Sequence, residues 1–279
     1  CERGIPIVYF SYGNRFCGIT HGMAHKNVEL RLAQFAAARD PARALRLARR
    51  FAEAKVRNSR TLLRRNHASL PKEALSGLAG WAVRSRRARD LESLLGIEGM
   101  AGRDYFAHFA GMFKLPEPDT DLAFDFQGRN RRPPKDPVNA LLSLAYTLLA
   151  KDWTVTLLAV GFDPYMGFYH QPRYGRPALA LDLMEEFRPL VVDSLALSLL
   201  NRGELDAKSD FIFSSEGCAL NEQGRRAFWQ GWFRRLDTEV THPVFGYLMS
   251  YRRMFEIQGR QLWRFLRGEA AGYTAFTTR

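Results

Sequence analysis

Leu91, Leu94, Leu95, Glu98, Ala101, Tyr105 and Phe109 recur at helical spacing, and six of the seven suit a buried stripe. Glu98 is the exception. A carboxylate on an apolar face is costly unless it is paired, protonated or bound to a cation. Gly96, Gly99 and Gly102 surround it, and three small residues predict that something approaches this backbone closely. A buried pair with an arginine, Arg103 for example, satisfies the same stripe.

His170 follows Gly167-Phe168-Tyr169, and alone it reads as a hydrogen-bonded structural histidine. Asp182 and Glu185 lie three apart on one helix face, with Arg188 a further turn along. A Glu185–Arg188 surface pair is the plainer reading. One imidazole with two glutamates makes a mixed donor set suited to Mg²⁺ or Mn²⁺ with open water positions, and unsuited to a closed structural zinc site. Such an ion polarises a phosphodiester and holds an incoming 3′-hydroxyl. Spacing leaves open whether Glu98, His170 and Glu185 meet.

The elements that must position these groups are mostly helical. Ile5–Phe10 and Arg15–Thr20 are β-rich runs around Ser-Tyr-Gly-Asn, a hairpin pattern. A lone hairpin is marginal in water, so the strands are expected to belong to a larger sheet. The chain opens on Cys-Glu-Arg-Gly, which reads as the remainder of a longer polypeptide. Helical texture begins near residue 27. Expected helices are Val28–Ala38, Pro41–Asn66 (Asp40 as N-cap, Pro41 first), Pro71–Arg89 and Arg89–Phe113. Lys114–Pro137 reads as a long loop. Val138–Val160 reads as one apolar helix or a pair, and Ala178–Asn201 as a helix bent at Pro189. Gly203–Gly224 reads as a second loop, and Arg225–Arg267 as helices interrupted near His242-Pro243. The expected fold is mainly α: residues 1–24 end a truncated N-terminal β-domain, and residues 25–279 form a large all-α domain.

The formal charge of +12 over 279 residues describes a chain drawn to polyanions, nucleic acid first and an anionic membrane surface second. No apolar run reaches the roughly 18 residues that span a bilayer, so no membrane partner is expected. The three cysteines lie far apart without Cys-x-x-Cys spacing, which predicts reduced thiols rather than a zinc site.

Six segments in order resemble the CRISPR-associated spacer-acquisition integrase/endonuclease family, the "Cas one" proteins. They are Gly4–Phe10, Ala54–Arg65, Gly96–Ala101 with Tyr105-Phe106, Arg131–Ser143, Gly167–His170 and Asp182–Pro189. The resemblance implies an N-terminal β-domain before a helical catalytic domain, and a metal-dependent DNA endonuclease and integrase of CRISPR adaptation. Such an enzyme joins spacer-precursor 3′-hydroxyls to the repeat by transesterification. It implies Glu98, His170 and Glu185 as ligands of Mg²⁺ or Mn²⁺, with Asp182 close by.

The same resemblance implies double-stranded DNA as substrate, a homodimer, a "Cas two" dimer bridging two such dimers, and the cytoplasm of a prokaryote. It also fits the integrase part of a fusion, with a reverse transcriptase or a Cas four-type nuclease. Tyr105 and Tyr169 are candidates to orient a phosphate or hydroxyl, and both equally suit a core. DNA backbone is expected along Arg49, Lys55, Arg57, Arg60, Arg64 and Arg65, and along the loop bearing Arg129, Arg131 and Arg132. A solvated basic face is the simpler reading of any one of these. Two rivals remain at this stage: a non-catalytic basic module that only docks DNA, and a general nuclease of branched DNA.

Overall fold

Asp40 and Pro41 start the longest helix as their types dictate. The Asp40 carboxylate accepts the backbone N–H groups of Ala42 and Arg43, and proline fixes the first turn. A computed structural model describes residues 7–11, 16–20, 27–114, 126, 128–130, 133–215 and 217–278.

Strands β1 (Ile7–Phe10) and β2 (Phe16–Thr20) pair antiparallel, with a bulge at Tyr9/Phe10. Helices α1 (Val28–Arg39), α2 (Pro41–Asn66), α3 (Lys72–Arg87) and α4 (Leu91–Ala107) follow. Helix α2 packs on both α3 and α4. Its face Leu47, Phe51, Ala52, Val56, Leu62 and Leu63 is buried at the i, i+3, i+4 spacing of an amphipathic core helix.

The stripe around Glu98 needs two corrections. Leu95 is half exposed, and Leu91 only partly buried, because α4 lies at the edge of the helical layer. A methyl group at Gly96, Gly99 or Gly102 would meet nothing within 4 Å, so these glycines border open space rather than a close neighbour.

The apolar segment is one helix, α5 (Pro137–Val160), capped by Asp136 and ended by Gly161 at φ 109°. By length and composition it is apolar enough to span a bilayer, although Lys151 and Asp152 interrupt its apolar run. Trp153, Leu149 and Leu157 are nonetheless fully buried against protein, Trp153 packing on Phe187 and Phe255.

The expected bent helix is three pieces: α6 (Ala178–Met184), a π-helical turn at Arg188–Asp193, and α7 (Ser194–Asn201). Pro189 sits in the π turn, which widens where proline removes a donor.

The expected loop at Gly203–Gly224 and the expected interruption near His242-Pro243 each hold a hairpin. Strands β3 (Phe211–Ser214) and β4 (Gly217–Leu220) pair, and Cys218 N donates to Pro134 O at 2.8 Å. Gly217 has φ 134°, and a Cβ there would lie 2.5 Å from Pro134 O, so only glycine lets the strand dock. After α8 (Glu222–Asp237), β5 (Glu239–Thr241) pairs with β6 (Leu248–Ser250), and α9 (Tyr251–Leu266) follows. Cys17 and Cys218 are not disulfide-bonded.

Residues 273–278 are stitched beneath the site. Asn58 donates to Glu186 O and Phe276 O at 2.8 and 2.9 Å and accepts from Thr278 N. The buried Glu186 carboxylate accepts from Tyr273 Oη, Phe276 N and Gln258 Nε2. Phe187 stacks on Phe276 with centroids 5.4 Å apart.

Candidate active site

Three elements bring the acidic groups together. Glu98 comes from the middle of α4, and Glu185 follows α6 directly. His170 comes from the loop between α5 and α6.

Asp182 shapes that loop. Fully buried in α6, it accepts the backbone N–H groups of Phe168, Tyr169 and His170 at 2.6, 3.0 and 2.7 Å. It also lies 2.8 Å from His170 Nδ1. A carboxylate oxygen accepts here, so Nδ1 carries a proton toward Asp182 and Nε2 is the ring nitrogen turned away from that acid. Nε2 faces Glu185 Oε1 at 3.8 Å. Asp182 is therefore the anchor of the imidazole rather than a member of the ligand face. Gly167 permits this packing, since a Cβ there would lie 2.9 Å from Asp182 Oδ2.

A group assigned to the DNA surface sits inside the cluster. Lys55 Nζ pairs with Glu98 and lies 2.7 Å from Glu185 Oε2, with less than a fifth of its side chain exposed. Lys55 lies beside the buried stripe of α2, one turn from Phe51 and Ser59, which marks it as inward-facing without naming its partner. Glu98 takes this partner and not Arg103, which pairs with Asp104. Arg188 Nε lies 3.2 Å from Glu185 Oε1, as the i, i+3 spacing allows, but the pair is buried and not superficial.

Burial alone pushes the Glu185 carboxyl up. Arg188, Lys55 and His170 outweigh it and hold the group at about 2, ionised at any physiological pH. Burial likewise pulls Lys55 down, and the Glu185 and Glu98 charges more than reverse that.

Lys55, Glu98 and Arg188 open onto a cleft of about 620 Å³. Its walls carry Tyr105, Phe106, Tyr146 and Phe126, with Arg103 and Arg129 among its cations. Tyr105 is a core tyrosine whose hydroxyl donates to Asp193 Oδ2 at 2.9 Å; Tyr146 donates to the other oxygen. Burial raises Asp193 to about 6 despite both donors. The Tyr146–Asp193 pair is a part of this wall that sequence spacing did not single out. The Tyr169 hydroxyl is buried and has no hydrogen-bond partner among the described residues. It lies in the field of Glu98, Glu185 and Asp182, which with burial raises its pKa.

The basic candidates divide by geometry. Arg49 donates through Nε to Ala88 O at 2.8 Å, closing the end of α3, and Arg60 Nε donates to Leu75 O at 3.0 Å. Both serve the fold. Arg57 is exposed with Glu53 at 3.8 Å, and Arg64 and Arg65 are exposed at the end of α2. Arg129 donates to Asn139 Oδ1 and Ser143 Oγ at the head of α5. Arg131 and Arg132 lie outside the described residues.

Among the described residues, no three His, Cys, Asp or Glu side chains stand at mutual metal-holding distances. Lys55 bridges the two glutamates. The donors still fit a hard divalent ion. Two carboxylates from separate elements already converge on one cation, a histidine nitrogen is oriented beside them, and the orphaned Tyr169 hydroxyl lies near.

The architecture is shared with solved structures of a casposase and of Cas1 proteins. A solved structure described as a casposase bound to integration product superposes with a TM-score of 0.83, covering 98% of this chain and 75% of that one. At 22% identity this likeness concerns the fold alone. A structure described as a Cas6-RT-Cas1--Cas2 complex superposes at 0.81 with 27% identity, over all of this chain and 30% of that one.

The family profile "CRISPR associated protein Cas1" matches residues 1–234. A "CRISPR-associated endonuclease Cas1 3" of Thermus thermophilus is 43% identical over 279 residues, all of this chain and 80% of that protein. A "CRISPR-associated exonuclease Cas4/endonuclease Cas1 fusion" of Geobacter sulfurreducens is 50% identical over 284 residues. This chain spans half the length of that fusion. The chain belongs to the Cas1 family.

Proposed function

We propose that this chain is the catalytic helical part of a divalent-metal-dependent DNA endonuclease and integrase of CRISPR adaptation. The observation that carries the reading is the convergence of Glu98 and Glu185 on one cation, with His170 Nε2 3.8 Å from Glu185, beside a cleft lined by cations and aromatic rings. Residues 25–279 are read as the catalytic domain, and residues 1–24 as the end of a β-domain.

In this reading Glu98, His170 and Glu185 hold Mg²⁺ or Mn²⁺. When bound, the ion supplies Lewis-acid polarisation of a phosphodiester and a template for the attacking hydroxyl. The chain's own groups prepare that site. Asp182 fixes the His170 tautomer, leaving Nε2 as the donor atom. Arg188 keeps Glu185 ionised, and the Tyr169 hydroxyl is free to bond an incoming oxygen. The reaction is a transesterification: a spacer-precursor 3′-oxygen bonds to a phosphorus at the repeat edge, and the 3′-oxygen of the flanking strand leaves with a proton. The cleft cations receive the DNA backbone.

A homodimer, a Cas2 dimer bridging two such homodimers, and an attached partner domain complete the reading. The likeness to the Cas6-RT-Cas1--Cas2 complex supports Cas2 as a partner, and the half-matched fusion relatives support the attached domain.

The test joins a short 3′-hydroxyl duplex to a repeat-bearing plasmid in Mn²⁺, in Mg²⁺ and in chelator. Joined product only with metal, and at least a hundredfold loss in Glu98→Ala, His170→Ala and Glu185→Ala with DNA affinity held within about threefold, is the expected result. Joining in chelator overturns the metal site, and full activity in one variant removes that residue from it.

A further inference from the structure

The metal reading leaves Lys55 unexplained. Its side chain leaves α2 between Ala54 and Val56, both buried, and bonds carboxylates from two other elements. Lys55 and Arg188 are paired with Glu98 and Glu185, and Asp182 faces His170. A divalent ion held by Glu98 and Glu185 would have to share their oxygens with the Lys55 ammonium. Its repulsion from an ammonium in contact with the same oxygens is twice that between two unit charges. One cation must therefore leave when the ion arrives.

The two candidates are not equivalent. The Arg188 guanidinium is packed over the Tyr146 ring, 4.6 Å from its centroid, and Tyr146 is bonded to the buried Asp193. Both residues line the 620 Å³ cleft, but the Lys55 ammonium ends a flexible four-carbon stem that can swing into it, whereas the Arg188 guanidinium is held against the Tyr146 ring.

We infer that Lys55 is an internal competitor for the divalent ion: its ammonium clasps Glu98 and Glu185 in the metal-free chain, and metal loading expels it into the adjoining cleft. This rests on the metal site proposed above. The expelled ammonium enters the space where a DNA phosphate is expected, so metal loading converts a structural counter-ion into a phosphate-facing charge.

The test has two arms, neither of which reads activity. Titration calorimetry with Mn²⁺ alone compares the wild-type chain with Lys55→Met. The variant is expected to bind the ion about tenfold more tightly, and equal or weaker binding overturns the inference. Because Lys55→Met leaves two facing carboxylates without their cation and can unfold, the second arm uses the wild-type chain. An amine-acetylating reagent is applied with and without Mn²⁺, and the peptide bearing Lys55 is quantified by mass spectrometry. Acetylation of Lys55 is expected to rise several-fold with the ion; an unchanged or reduced yield overturns the inference. If the wild-type chain binds no Mn²⁺, the metal site itself falls. If it binds and neither arm responds, only the role of Lys55 falls.

Discussion

Asp182 Oδ1 lies 2.8 Å from His170 Nδ1, and the same carboxylate holds three consecutive backbone N–H groups of the loop that ends in that histidine. One acid thus sets the path of the loop, the tautomer of the ring and the direction of Nε2. Asp182→Asn keeps the shape but replaces a charged acceptor with a neutral amide. Mn²⁺ affinity and strand transfer are both expected to fall about 10- to 100-fold, in line with other partners of metal-bound histidines. Calorimetry and the joining assay measure the two together, and a loss of joining with unchanged Mn²⁺ affinity would separate Asp182 from the metal.

Gly167→Ala tests the packing behind that anchor. A Cβ at this position would lie 2.8 Å from the Ala178 carbonyl carbon and 2.9 Å from Asp182 Oδ2. Neither the start of α6 nor a buried carboxylate yields easily. The substitution is expected to cost about 1–3 kcal/mol, as overpacking does. Urea unfolding of the metal-free chain gives the number.

Asp193 makes stability fall as pH rises. Its carboxyl is near 3.8 in the unfolded chain and about 6 when folded, so between those values the folded chain binds the extra proton. Stability from this group is greatest below about pH 4, declines to about pH 6 and is level above. Asp193→Asn removes that decline. Melting temperatures of both proteins from pH 4 to 7 test it, and parallel curves would place the titration elsewhere.

The arginines separate in a salt titration. Arg64→Ala is expected to reduce the slope of log affinity for duplex DNA against log salt by about 0.9, the loss of one phosphate contact. Arg49→Ala removes the guanidinium that closes α3 at Ala88. It should lower the melting temperature and leave the slope unchanged. Wild-type affinity itself is expected to drop at least tenfold between about 50 and 200 mM salt.

Asn58→Ala removes two donors and one acceptor that tie Glu186, Phe276 and Thr278 to α2. The buried carbonyls left behind make a loss of about 2–4 kcal/mol the expected outcome in denaturant.

The helices were legible because their signals are local. Asp40-Pro41 and the buried stripe of α2 fix a helix whatever lies elsewhere. The π turn was legible only as a bend, since Pro189 announces a fault without its form. The hairpins at 211–220 and 239–250 were missed because each strand is three or four residues long, and the first pairs only where Gly217 lets β4 meet Pro134. Glu98, His170 and Glu185 could be named from type and family likeness, but their partners could not. Nothing local in Ala54-Lys55-Val56 says that this lysine faces Glu98, forty-three positions away. Arg49 and Arg60 misled for the same reason. An arginine run looks alike whether its members face solvent or cap a neighbouring helix.

Glu186 stands next to a proposed ligand, and its hydrogen bonds come from Gln258, Tyr273 and Phe276, seventy or more positions later. A growing polypeptide that already carries every acid and imidazole of the cluster still lacks the strap that holds them from below. The cluster is therefore fully supported only after residue 276 is free to fold back. Premature termination upstream of that strap yields a fragment with all the right side chains and no rigid place to put them.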